Sequence, residues 1–499
     1  MTTPPSVTIL WFRNDLRIHD NEALSRAIQF SEKNKSKLLP LYVFDDRQFT
    51  TSRVGNFIRS GPIRTKFLIE SVEDLRNNFK KIGSNLMIKQ GRPETIIGNL
   101  KSQVDIKGIF AQQEVGSEEL NVDRAVKKKT PHFELVWMHT LLHPQDLHNV
   151  DPDNVPGIFT SFRRKVETNF QVRPPIDSPT DLSNTSLQNL GEEFWGQLPS
   201  VQDLIHEEEQ RVDTRKVLDC KGGETEALKR VDSYIWKSNA LGTYKETRDI
   251  MIGENSSSKF SPWLSLGCIS PRLLYKQIKE YEKKVKANES TYWMVFELLW
   301  RDYFRFWGSN IGDNMFKVSG VRKYNNKYEK PTWSRNESDL KTWIRGETGY
   351  PVVDANMREI ALTGWMSNRG RQIVASFLAK IMKMDWRLGA EYFESQLIDY
   401  DVTSNWCNWM YQAGVGNDPR DRVFNPIKQA RDYDPHGEYI KKWLPELKNV
   451  PEDCIACPWK MSEQQQRASH CVIGDDYPKP IAFVPEPNKM AKRKPPKSK

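Results

Sequence analysis

A change of period near residue 142 constrains the fold more than any other feature of this sequence. Before it, apolar runs of strand length at residues 7–12, 38–44, 86–89, 108–111 and 133–137 alternate with helical patterns at 21–32, 64–81 and 117–129. That alternation predicts a parallel, doubly wound α/β domain over residues 5–142. The first strand ends in WFRNDLRIHDNEAL rather than a G-x-G-x-x-G turn, so a nicotinamide fingerprint is absent. Asp20 reads there as the cap of the first helix. Residues 143–223 lose the pattern. Pro174 and Pro175, Ser/Thr/Asn clusters and the acidic run Glu207–Glu209 mark a connector, with one short helix at 159–170. From 224 to 450 helical periods dominate, at 231–241, 272–281, 292–307, 340–346, 354–363 and 369–382, which predicts an all-α second domain. Residues 451–499 form a C-terminal extension, and the Pro- and Lys-rich end, 485–499, is expected to be disordered.

Within the helical part, the stretch from Gly349 to Gly416 is unusual for a core. Trp365, Trp386, Trp406 and Trp409 lie among Asp385, Asp399, Asp401, Arg369, Arg371, Asn368 and Asn405. Asn368 and Arg371 are three apart and share one helix face. Asp399 and Asp401 are two apart in a turn-like segment, where both can face one pocket. No histidine occurs between Glu207 and Pro435, so the stretch lacks an imidazole acid/base and a metal-ligand set. Two readings fit: a helical core with satisfied polar groups, or a pocket for a large flat polar cofactor with its own chemistry. Upstream, SSSKFSPWLSLGCISPR offers Ser257, Ser258, Lys259, Phe260 and Ser261 as a phosphate-cradling turn before a helix.

The order of residues favours the cofactor. DANMREIALTGWMSNRGRQIVASFL and DWRLGAEYFESQLIDYDVTSNWCNW closely resemble the flavin-binding region of the photolyase/cryptochrome family, and the resemblance runs from about Val7 to Leu447. TYKETRDIMIG, STYWMVFELLWRDYFRFW and GNDPRDR resemble its cryptochrome DASH branch. The resemblance implies a photolyase-like fold: an α/β antenna domain beginning at the WFRNDLRIHDNEAL motif, and an all-α C-terminal FAD-binding domain. It places FAD against Tyr244, Ser257, Ser258, Lys259, Phe260, Ser261, Arg301, Asn368, Arg371, Asp399, Asp401 and Asn405. Arg301 and Arg371 are expected to neutralise phosphates or pair with Asp399. Asp401 is expected to accept from the flavin ring or ribose, and Asn405 to serve as donor or acceptor near the redox centre. Trp409, Trp386 and Trp333 match the three indoles that relay an electron from the surface in this family. Glu118 matches a carboxylate that contacts a folate antenna, which implies 5,10-methenyltetrahydrofolate; a Glu after Ser117 is otherwise an ordinary helix start.

Glu297 and Trp300 lie one helical turn apart in FELLWRDYF. The resemblance turns both toward a cyclobutane pyrimidine dimer, with Arg248, Arg369, Gln372, Tyr411 and Arg422 contacting the lesion or its phosphates. Tyr411 stands where bacterial dimer photolyases carry a second stacking Trp, and Gln372 where they carry Met. Both departures look DASH-like and favour single-stranded substrate. The histidines that (6-4) photolyases need around Asn368 and Gln372 are absent. The expected activity is blue-light-driven deoxyribodipyrimidine photo-lyase chemistry, mainly on single-stranded DNA. The alternative is a blue-light photoreceptor with little or no repair. A plain nucleic-acid-binding module leaves the flavin pocket unexplained.

The net charge of +9 is unevenly placed. Seven Lys/Arg against one Glu between Lys479 and Lys499 put +6 of it at the C-terminus, so a DNA site on the folded body must be a local patch. No apolar run is long enough for a membrane span. MTTPPSVTILWF has neither a signal-peptide core nor an Arg/Ser-rich leader. An intracellular monomer, in cytoplasm or nucleus, is expected. Cys454-x-x-Cys457 with His470 and Cys471 downstream resembles a zinc motif, but adjacent His470 and Cys471 make poor joint ligands, and no metal is assigned.

Overall fold

The computed structural model describes residues 4–187, 190–321, 332–417 and 422–486. β1 (Ser6–Phe12), β2 (Lys37–Phe44), β3 (Met87–Gln90), β4 (Asp105–Gln112) and β5 (Phe133–Val136) form one parallel sheet in the order β3-β2-β1-β4-β5. β1 pairs with β2 from Val7↔Lys37 to Phe12↔Tyr42, and with β4 on its other edge. Its side chains alternate between two cores. Leu10 and Phe12 meet α1 (Glu22–Lys33) and α2 (Pro62–Lys81); Val7, Ile9 and Trp11 meet α3 (Pro93–Leu100) and α4 (Ser117–Lys127). Burial on both faces explains why β1 and β2 read as nearly unbroken apolar runs. The sheet is doubly wound, as the alternation predicts. The period misses α3, whose eight residues make only about two turns.

Asn21, not Asp20, caps α1, accepting from Leu24 N at 2.9 Å. Asp20 is buried and accepts from Arg272 Nη2 at 2.6 Å and Ile176 N at 2.9 Å. It therefore ties the first strand-to-helix turn to the connector and to the helical domain.

The connector carries α5 (Phe159–Glu167). After it, α6 (Glu224–Val231) runs into a π-helical turn at Asp232–Lys237, where the period suggests one helix over 231–241. There follow α7 (Pro271–Lys284), α8 (Glu289–Ile311), α9 (Glu337–Arg345), α10 (Pro351–Thr363), α11 (Asn368–Ser376), α12 (Trp386–Gln396), α13 (Val402–Ala413) and α14 (Pro426–Tyr433). Proline opens α7, α10 and α14, at a position whose N–H has no helical partner to lose. These helices enclose a core that includes Trp343, Trp386, Trp409 and Phe377.

Buried polar bonds lock the two domains together. Asp302 on α8 accepts from Leu141 N at 2.9 Å and Leu142 N at 2.7 Å. Burial raises its pKa to about 7 against those two donors. Arg305, one turn on, pairs with Glu114 at 2.6 Å. On α12, Glu391 accepts from Ser52 Oγ at 2.7 Å and Gly55 N at 2.6 Å. Buried charges persist only with such partners. These bonds hold residues 138–142 against α8, and that placement matters for the site.

The C-terminal extension lies along α10, where Tyr477 donates to Asp354. Pro485 and Glu486, at the start of the segment expected to be disordered, are held: Asn425 Nδ2 donates to Pro485 O at 2.8 Å, and Lys460 pairs with Glu486. The rest of that segment, 487–499, lies outside the described residues, as does most of the GNDPRDR motif. Among the described residues no group of three or more His, Cys, Asp or Glu is placed to hold a metal ion, and no helix is long and apolar enough to cross a membrane.

Candidate functional site

α8, α11, α13 and the turn before the short helix Ser261–Ser265 converge on one cleft. Its walls bring together Tyr244, Ser257, Ser258, Lys259, Phe260, Ser261, Arg301, Asn368, Arg371, Asp399, Asp401 and Asn405. The chain reaches it from segments up to about 160 residues apart, through helix starts and turns rather than through one motif. Arg371 Nη2 donates to Asp399 Oδ2 at 2.8 Å. Asp399 Oδ1 is buried and has no hydrogen-bond partner among the described residues. An unpaired buried carboxylate oxygen is costly. It suits a wall that receives an N–H or O–H from a ligand, and on this ground the cleft fits FAD.

The serine turn is braced from behind by two cations. Arg230 Nε donates to Ser258 O at 3.0 Å. Lys259 adopts φ +52, uncommon for a side chain that size, and its ammonium donates to Gly253 O and Glu254 O, both at 2.9 Å. Burial lowers the Lys259 pKa to about 7. Neither brace is legible from sequence spacing.

Arg301 does not pair with Asp399. Its guanidinium donates to Leu264 O at 3.0 Å and to the carbonyl and Nε2 of His139. A histidine therefore stands behind the cleft wall, against Arg301, delivered by the segment after β5 that α8 holds. Guanidinium only donates, so Nε2 accepts and the imidazole is neutral. Burial and the charges of Arg301 and Arg305 agree with this, pushing the His139 pKa down to about 3. Asp401 Oδ1 caps α13, accepting from Ser404 N at 2.7 Å. Its Oδ2 lies 3.7 Å from His139 Nε2 and 3.8 Å from Arg305 Nη1. Burial opposes the carboxylate, but the guanidiniums of Arg305 and Arg301 beside it hold its pKa well below the usual range.

Glu297 and Arg248 line the same cleft and pair with each other; burial raises the Glu297 pKa. Trp300 meets Tyr411 edge to face, centroids 6.4 Å apart. Phe159 of α5 stacks on Trp300 at 3.7 Å, a brace the sequence reading missed because it comes from the connector. Arg369 donates to Gln372 Oε1 at 2.8 Å and to Asp249 at 3.1 Å, and Arg422 lies over the Tyr411 ring.

Trp409 lines the cleft, Trp386 is buried at the start of α12, and Trp333 is partly buried. Local bonds place Trp333 and Trp409 against the first turns of α12. Ser334 N donates to Lys383 O at 2.8 Å and Asp385 N to Ser334 O at 2.9 Å, which sets Trp333 beside the start of α12. One turn on, a Cβ at Gly389 would come within 2.2 Å of Trp409, so the missing side chain admits that indole against α12. Glu118 lies elsewhere, in a pocket of the α/β domain with Trp11, Tyr42 and Arg47, paired to Arg59 at 3.0 Å.

Arg371→Ala is expected to leave both Asp399 oxygens without a donor. At ~1–3 kcal/mol for an unsatisfied buried acceptor, FAD affinity should fall about tenfold or more. Flavin absorbance per protein after gel filtration checks this, and Arg371→Lys should restore part of it.

A doubly wound domain locked onto a helical domain that holds this cleft is the architecture of light-driven flavoproteins that include photolyases and cryptochromes. The FAD binding domain of DNA photolyase matches residues 293–494, and the DNA photolyase domain matches residues 8–180. A cryptochrome DASH of Xenopus laevis is 44% identical over 99% of this chain and 93% of that protein. Among solved structures, the Synechocystis sp. PCC6803 cryptochrome superposes with a TM-score of 0.87 at 43% identity, covering 97% of this chain and 98% of that one. A class III photolyase from Agrobacterium tumefaciens superposes with a TM-score of 0.80 at 27% identity, covering 97% and 95%. The chain belongs to the photolyase/cryptochrome family, in its cryptochrome DASH branch.

Proposed function

We propose that this chain uses blue light to split cyclobutane pyrimidine dimers, preferentially in single-stranded DNA, acting as an intracellular monomer. The observation that carries the reading is the Glu297–Arg248 pair in the same cleft as the residues around Asp399. FAD, when bound, supplies the photoexcitable electron donor. The chain positions the lesion and balances charge. Glu297, with its raised pKa, is suited to hydrogen-bond a pyrimidine carbonyl, and Arg248 beside it to stabilise negative charge developing on the base. Trp300, braced by Phe159, is a rigid stacking partner. Asn405 Nδ2 donates to Ala390 O at 2.9 Å, which fixes the amide's orientation. Trp409, Trp386 and Trp333 serve as the relay that restores the reduced cofactor. The Glu118 pocket is the proposed seat of a 5,10-methenyltetrahydrofolate antenna.

Substrate form follows from magnitudes. Extruding a dimer from a duplex costs a few kcal/mol. One base–aromatic stack contributes about 1–3 kcal/mol. With Tyr411 and Gln372 at the rim, the missing part of one stack is comparable to the extrusion cost, so the deficit falls on duplex. Illumination of FAD-loaded protein with dimer-containing oligonucleotides should repair single strands well above duplex, with a bubble in between. Glu297→Gln should lower repair in both forms about tenfold or more, and Tyr411→Trp should raise duplex repair more than single-strand repair. Equal repair of both forms would remove the stacking argument. Absence of repair in either leaves the second reading, a blue-light receptor. That reading is favoured by the engagement of Arg369 with Asp249, and of Arg422 with Tyr411, since both cations must exchange partners to reach a phosphate.

A further inference from the structure

Phe483 is 90% exposed, yet it sits on a fixed strap. Ile481 N donates to Thr348 O at 2.9 Å, Tyr350 Oη to Ala482 O at 2.8 Å, and Asn425 Nδ2 to Pro485 O at 2.8 Å. Gly349, at φ +79, lets the strap lie directly on it: a Cβ there would come 2.6 Å from the Lys479 backbone. The neighbours Ile481 and Val484 tuck against the helical core, so the strap turns one apolar side chain outward and its flanking ones inward. Val423, 60% exposed, lies two residues before Asn425, on the segment that receives the strap. Each of these exposed apolar side chains thus lies two residues before one end of the same inter-segment hydrogen bond. Single exposed apolar residues are ordinary, but an aromatic ring held this bare on a fixed strap presents a face that a partner ring can stack on.

The position says which group. Asn425 follows Arg422 by three residues. Arg422 lies 5.6 Å over the Tyr411 ring, and Tyr411 lies 6.4 Å from Trp300, which stands on α8 between the cleft residues Glu297 and Arg301. The path from Arg422 through Asn425 and Pro485 to Phe483 is at most ~27 Å, counting five residue steps and the crossing from the Asn425 side chain to Pro485 O. At ~3.4 Å per stacked nucleotide that is about eight nucleotides at most, fewer if the strand is stretched. The geometry points to Phe483, with Val423, as a stacking platform for unpaired bases flanking the site that Trp300 and Tyr411 border. This rests on the DNA reading above and adds the length and strandedness of the footprint. Every base has a π face, so such a platform accepts any sequence, but it needs bases out of a duplex.

The test is fluorescence anisotropy of the full-length FAD-loaded protein with undamaged thymidine oligonucleotides, one of about five nucleotides and one of about fifteen. Phe483→Ala should weaken binding of the long strand about tenfold, leave the short strand and duplex unchanged, and leave the salt dependence unaltered because no charge is lost. Phe483→Trp should bind the long strand at least as tightly as wild type. Wild-type affinity of Phe483→Ala for the long strand overturns the platform while leaving the DNA reading standing. A wild-type protein that binds no single strand at low salt overturns both. Unchanged DNA affinity with loss of a concentration-dependent self-association would assign the patch to a second copy of the chain, and would also overturn the proposal.

Discussion

Asp401→Asn is expected to release FAD and to destabilise the fold by ~3–5 kcal/mol, the range for removing one member of a buried charge cluster. The helix cap is not what is lost. Asn caps as well as Asp, and its oxygen can still accept from Ser404 N. What disappears is the negative charge facing Arg301 and Arg305. Arg305 keeps Glu114 at 2.6 Å, but among the described residues Arg301 keeps no carboxylate in hydrogen-bond contact, its partners being the carbonyls of His139 and Leu264 and the imidazole. The pH dependence separates the two members of this cluster. The Asp401 pKa is depressed below its ordinary 3.8 in the folded chain, so its contribution is complete above that value and is lost only as pH falls through the lower, folded one. The deficit of Asp401→Asn should therefore be similar at about pH 8 and about pH 5. His139 behaves differently. Its folded pKa of about 3 lies below the ordinary 6.5, so between those values the unfolded chain binds the proton more readily. Wild-type stability should fall as pH drops through that window. Flavin-fluorescence melting curves at both pH values decide. An Asp401→Asn protein that melts like wild type at about pH 8 would show that the two guanidiniums need no counter-charge there.

The same cluster shows where the sequence is informative and where it is silent. Strand periods and apolar runs carry the sheet, because β1 and β2 are buried on both faces along nearly their whole length. Asn368, Arg371, Asp399, Asp401 and Asn405 stand close in sequence, and the structure brings them together in one cleft. His139, Arg230 and Phe159 reach the site or its rim from outside that stretch, and no local period marks them. Their places depend on tertiary bonds: Asp302 holding residues 141–142, Arg230 reaching the serine-turn carbonyls, and α5 lying along α8. Asp20 shows the opposite error. Its local context, just before a helix, suggests a cap, but the buried Arg272 offers a stronger partner, and Asn21 caps instead. The strap that carries Phe483 is likewise invisible in a Pro- and Lys-rich composition, because its order comes from Thr348, Tyr350 and Asn425 rather than from its own residues.

Trp386→Phe is expected to slow blue-light reduction of bound FAD about tenfold or more, which corresponds to only ~1.4 kcal/mol of added barrier. Trp386 is buried between the segment that carries Trp333 and the turn at Gly389 that admits Trp409, so it is the middle member of any path through these three indoles. Phenylalanine is far harder to oxidise than tryptophan, so the path breaks there even if the ring volume is partly kept. Some stability is lost as well. The Trp386 Nε1 donates to the part-buried Val318 O at 3.1 Å, and losing that bond costs ~0.5–1.5 kcal/mol. FAD content and melting temperature must therefore be matched before rates are compared. Trp386→Tyr, which keeps an oxidisable ring, should recover part of the rate. Trp406 meets Trp386 edge to face at 5.8 Å and is the nearest rival route, so Trp406→Phe is the control that should leave photoreduction close to wild type. Dimer repair by chemically pre-reduced Trp386→Phe should persist, because the proposed relay would restore the cofactor and not touch the lesion. Wild-type photoreduction in Trp386→Phe, with a slow Trp406→Phe, would move the relay to Trp406; wild-type rates in both would remove this cluster of indoles from the electron path.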